Sequence, residues 1–62
     1  MTVNTRLGKI TADKDVLDML SLSLLESGFS LEKRGEHERA EQDKKTSDEI
    51  FRALLEVGFY RG

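Results

Sequence analysis

Thr2-Val3-Asn4-Thr5-Arg6-Leu7 alternates polar and apolar residues and then meets Gly8. A period of two marks a half-buried strand, with Val3, Thr5 and Leu7 on one face and Thr2, Asn4 and Arg6 on the other. From Thr11 onward the pattern is helical, so the sequence predicts one strand and no second strand beside it. Unpaired backbone N–H and C=O groups are costly unless solvent or another chain satisfies them. A second copy of the chain is the simplest partner.

The size of the chain points the same way. Its 62 residues make a single domain with a small core, and such chains usually need disulfides, a metal or oligomerisation. There is no Cys, and His37 is the sole histidine. That removes disulfides, thiolate sites and the usual zinc ligand sets. Oligomerisation is left. No apolar run approaches the ~20 residues of a membrane span, and Met1 to Lys14 lacks the apolar core of a signal peptide. The expected setting is cytoplasmic, with no membrane partner.

Downstream of the strand, Asp13 or Thr11 caps a first helix that runs to about Ser27. Gly28-Phe29 has the Gly-then-apolar pattern of a Schellman ending. At about 100° per residue, Val16, Leu17, Met19, Leu20 and Leu24 share a broad face, while Leu22 and Leu25 fall outside it. The apolar surface thus exceeds what one neighbour can cover. A second helix starts near Ser47, where Thr46 and Glu49 have capping-box spacing. Ile50, Phe51, Ala53, Leu54, Leu55 and Val57 form its apolar face, and Gly58-Phe59 ends it. The two endings match, Leu24-Leu25-Glu26-Ser27-Gly28-Phe29 against Leu54-Leu55-Glu56-Val57-Gly58-Phe59.

Residues 31–45 hold only Leu31 and Ala40 as apolar residues. They read either as a charged solvated helix, continuing the last helix backwards, or as a linker. The predicted fold class is therefore mainly α, a short N-terminal β-strand followed by two helices in a single domain over residues 1–62.

Catalytic chemistry has no foothold in these residues. There is no nucleophile paired with a base and no Gly-rich phosphate loop. His37 and Glu41, at i,i+4 spacing, supply too few ligands for a metal. The expectation is a non-enzyme without cofactor.

The charge pattern is more informative. The net charge is −2. Residues 1–14 nevertheless carry Arg6, Lys9 and Lys14 against Asp13 alone, while residues 15–29 carry Asp15, Asp18 and Glu26 with no basic residue. Two antiparallel copies of the strand would form a ribbon presenting Thr2, Asn4 and Arg6. A two-stranded ribbon fits the major groove of B-form DNA, where Arg can read guanine, Asn adenine and Thr the thymine methyl. Lys9 is then placed for phosphate.

In this respect the chain resembles the MetJ/Arc ribbon-helix-helix repressors. Asn4-Thr5-Arg6-Leu7 is similar to that family's ribbon, and Val16-Leu17-Asp18-Met19-Leu20 to its first helix. Ser47-Asp48-Glu49-Ile50-Phe51-Arg52-Ala53-Leu54-Leu55 resembles the start of its second helix. The resemblance implies a homodimeric DNA-binding regulator with an intersubunit ribbon. It also implies that Ser47 and Asp48, at a helix N-terminus, hold a phosphate. The other reading is a small helical protein–protein interaction module, an inhibitor or accessory subunit without a DNA role. Its partner surface, or dimer surface, would centre on Leu22 and Leu25. Leu54 to Phe59 is also similar to the helix-plus-Gly-Phe loop of ubiquitin-associated domains, which need a third helix.

Overall fold

A computed structural model describes residues 1–61. The chain runs β1 (Thr2–Thr5), β2 (Gly8–Thr11), α1 (Lys14–Lys33) and α2 (His37–Glu56). The fold class is as expected, an N-terminal strand element followed by two helices. The strand is not alone, however. β1 pairs antiparallel with β2 in the register Thr2↔Thr11, Val3↔Ile10, Asn4↔Lys9 and Thr5↔Gly8. The hydrogen-bonding partner therefore comes from the same chain, and β1 needs no second copy to pair its backbone.

Arg6 and Leu7 form the turn. The Thr5 hydroxyl donates to the Gly8 carbonyl and accepts from the Leu7 N–H, at 2.9 and 3.1 Å. Such Ser/Thr turns fix a short loop locally. Leu7 belongs to this turn and is 75% exposed, not in the core. Val3 and Ile10 share the inner face, as the pairing requires. Thr2, Asn4, Lys9 and Thr11 share the outer one and are all exposed.

Both helices run well past their expected limits. α1 continues through Gly28 because Gly28 faces α2. A Cβ there would lie 2.8 Å from Lys44 Cγ and 3.1 Å from the Ala40 carbonyl oxygen. Glycine at this position is a close-approach residue, not a helix stop. The stop is Gly35, with φ +82°. The Glu36 N–H donates to the Leu31 carbonyl at 2.9 Å and the Gly35 N–H to the Glu32 carbonyl at 3.0 Å. That is the Schellman pair of bonds. The expected ending at Gly58-Phe59 does form, with Phe59 N–H to Leu54 and Gly58 N–H to Leu55, both at 3.0 Å.

Residues 31–45 are no linker. They supply the end of α1, the turn and the first half of α2. Packing decides this, since Leu31 and Ala40 are both buried. On the exposed side of α2, Lys45 pairs with Glu41 at 3.2 Å, an i,i+4 contact. Arg39 and Arg34 both pair with Glu36.

The core sits where the β-hairpin meets the helix pair. Val3, Leu17, Ile50 and Leu54 form it, with Met1, Ile10, Ala12, Leu20, Leu24, Ala53 and Phe59 packed around. Leu17, Ile50 and Leu54 are fully buried, and each such side chain stabilises by about 1.5–3 kcal/mol. Away from this end the helices close on small residues, Ser21 against Ser47 and Gly28 against Ala40. Two helices and a short ribbon cover a narrower arc than the sequence face suggested. Val16, Met19, Phe51, Leu55 and Val57 consequently remain exposed.

Candidate interaction surface

The most distinctive surface is a groove along one flank of the α1/α2 pair. Successive α1 residues at i,i+4,i+7,i+11, namely Asp18, Leu22, Leu25 and Phe29, lie on that flank. α2 contributes Lys44, Asp48 and Phe51. A groove of about 530 Å³ lies among Asp18, Leu22, Leu25, Lys44, Phe51 and Tyr60. Its floor is Ser21 and Ser47, both buried. The Ser47 hydroxyl donates to the Ser21 carbonyl at 2.7 Å, and the Ser21 hydroxyl reaches the Ser47 carbonyl at 3.2 Å. The two hydroxyls are 3.1 Å apart. The floor is therefore both polar and satisfied, and it holds the helices at fixed spacing.

The walls are apolar and incompletely covered. Leu22 is 55% exposed, Phe51 41% and Tyr60 42%. The Tyr60 ring packs on Phe51 at 5.2 Å and meets Phe59 edge-on at 5.0 Å. Its hydroxyl donates to the Asp18 carboxylate at 2.5 Å. Partial burial, then the Asp18 hydrogen bond and charge, push the phenol up to about 12. At the other end Phe29 is 53% exposed. The Lys44 ammonium lies over its ring, 4.8 Å from the centroid, and pairs with Glu32. The Lys44 hydrogen bond and charge hold the Glu32 carboxyl below its usual range.

The expected site residues separate into two groups. Leu22 and Leu25 do line a common surface, the groove. Thr2 and Asn4 project from the hairpin as expected, with the Thr2 and Thr11 hydroxyls 2.8 Å apart. Arg6 is in the turn, and its N–H donates to the Glu49 carboxylate at 3.3 Å. Lys9 is exposed opposite Asn4.

Ser47 and Asp48 depart from expectation. They stand in the middle of α2, which begins at His37, so their backbone N–H groups are not free helix-end donors. Ser47 is buried against Ser21, Asp48 pairs with Arg52 at 2.7 Å, and Thr46 donates back to the Gln42 carbonyl instead of capping. The aromatic pair Phe51–Tyr60 was not anticipated as part of a site. Its only sequence signal was the i,i+4 spacing of Ser47 and Phe51 opposite the two leucines.

Among the described residues no cluster of three or more His, Cys, Asp or Glu could hold a metal, and no helix is long and apolar enough to cross a membrane. Comparison with protein-family models, with curated proteins and with solved structures finds no match.

Proposed function

We propose that this chain is a small helical protein–protein interaction module that docks through the groove between α1 and α2. The supporting observation is the set Leu22, Leu25, Phe51 and Tyr60 standing together over a hydrogen-bonded Ser21–Ser47 floor. Protein interfaces have an apolar, aromatic-rich centre and a charged rim. Asp18, Asp48 and Lys44 form that rim here. A rigid floor also lowers the ordering cost of association.

The test is photo-crosslinking in cells with Leu22→p-benzoylphenylalanine, against the same probe at Ser23, which is exposed on another side of α1. A discrete protein adduct at position 22 and none at 23 is expected. No adduct at 22, or equal adducts at both, overturns the reading.

A second reading, DNA binding by the hairpin, has one supporting observation. The outer face of the ribbon carries Asn4 beside Lys9 and Thr2 beside Thr11, with Arg6 in the adjoining turn. Glu49, Glu56 and Arg52 border the same strand, and their net acidic charge opposes contact with a phosphate backbone. A gel shift at low salt that is lost in Lys9→Ala would favour this reading.

A further inference from the structure

We infer that Tyr60 is a gate on the α1/α2 groove, a side chain that closes one end of it over Phe51 and swings clear while the rest of the fold stays intact. The gate's role in recognition rests on the interaction-face reading above; its motion does not.

Tyr60 stands beyond the end of α2, which stops at Glu56, yet it ties the two helices together across the groove. Its hydroxyl donates to Asp18 on α1 at 2.5 Å, and its ring packs on Phe51 of α2 with the centroids 5.2 Å apart. The backbone beneath is held separately. Gly58 turns the chain with φ +74°, the Phe59 N–H donates to the Leu54 carbonyl, and Phe59 itself packs against the core. The Arg61 N–H then closes the turn on the Gly58 carbonyl at 3.1 Å. None of these bonds uses the Tyr60 side chain. Rotation about its Cα–Cβ bond therefore moves the ring without undoing the turn.

The ties on the ring are weak beside those in the core. Tyr60 is 42% exposed and its hydrogen bond to Asp18 is exposed too, whereas Leu17, Ile50 and Leu54 are fully buried. Parts of a fold with few buried contacts and exposed hydrogen bonds open at a lower free energy than the whole. Opening strips the tyrosine from Phe51 and frees the Asp18 carboxylate. The groove then presents a longer apolar wall with an acid at its end. In the closed form the chain's own tyrosine shields both groups.

The test is NMR on the full chain with no partner added. Stacked rings shift one another's protons, so the Tyr60 and Phe51 ring signals report closure, and the methyls of Leu17, Ile50 and Leu54 report the core. On heating, the ring signals should move toward unfolded values at temperatures where the methyls have not moved. Asp18→Ala removes the acceptor and keeps both rings. It should raise the ratio of open to closed Tyr60 roughly 2–10-fold, the equivalent of one hydrogen bond, with the methyl signals in place. Ring and methyl signals that move together through one transition overturn the gate. So does an Asp18→Ala variant whose ring signals match the parent's. Neither readout needs an occupant, so the gate can fail while crosslinking at Leu22 succeeds, and the reverse.

Discussion

Replacing Ser47 with Ala removes the best hydrogen bond on the groove floor. That hydroxyl donates to the Ser21 carbonyl at 2.7 Å and lies 3.1 Å from the Ser21 hydroxyl. Both residues are buried, so water does not replace what is lost. A net hydrogen bond contributes about 0.5–1.5 kcal/mol. Ser47→Ala should cost about 1–2 kcal/mol, and Ser21→Ala about 1, since its own carbonyl contact is longer. The double variant should cost less than the sum, because the share of the Ser21 proton that reaches the Ser47 hydroxyl is lost in either single.

In a domain of this size 1 kcal/mol moves the melting temperature by about 4–8 °C. Urea unfolding followed by circular dichroism, fitted with a common slope, measures all four species. Single variants within ~0.3 kcal/mol of the parent, with no coupling, would refute the reasoning. They would place Ser47 in solvent, as at a helix N-terminus.

Other substitutions probe the two glycines that shape the helices and the groove's tyrosine. Gly28→Ala gains about 1 kcal/mol of helix propensity but crowds the Ala40 carbonyl. Overpacking of about 1–3 kcal/mol should win, leaving a net loss of about 1 kcal/mol by thermal melting. Gly35→Ala meets no atom within 4 Å, so its cost is the left-handed backbone alone, about 1–2 kcal/mol. Gly35→Asn should cost less. Tyr60 is the only tyrosine, so absorbance at the phenolate band titrates it directly, with a midpoint near 12. The unfolded phenol ionises near 10. The stabilisation from the protonated form is thus whole below about pH 10 and lost as pH rises through about 12. Asp18→Asn should bring the midpoint down.

The parts of this fold that were legible rest on local periodicity. Val3 inward with Thr2 and Asn4 outward follows from alternation, and the pairing keeps it. Leu17, Leu20 and Leu24 on α1, with Ile50 and Leu54 on α2, follow from helical spacing. Gly58-Phe59 reads as a helix end and is one.

The same Gly-Phe dipeptide at 28–29 misleads because glycine has two uses. It can take a positive φ, or it can let another backbone approach. Only the packed partner, Ala40 on α2, distinguishes them. β2 was hidden because Gly8-Lys9-Ile10-Thr11 holds one apolar residue and the turn is Arg6-Leu7. Hairpin loops usually announce themselves with Asn-Gly or Gly-Gly, and Leu7 instead prolonged the apparent strand.

The groove was half legible. Leu22 and Leu25 stood out as surplus apolar surface on α1. Phe51 was absorbed into the presumed core face of α2, and Tyr60 lay beyond the last predicted helix. Ser47 looked like a cap because Thr46 and Glu49 stand at capping-box spacing. Propensity favours a start there, but packing of Ala40 and Leu31 carries the helix back to His37.

The central claim is that this chain acts through the α1/α2 groove and not through its β-hairpin. One experiment weighs the two directly, photo-crosslinking in cells with the probe at Leu22 in one variant and at Asn4 in another. Protein adducts from position 22, with none from position 4, are the predicted outcome. Nucleic-acid adducts from position 4 with none from position 22 would contradict it.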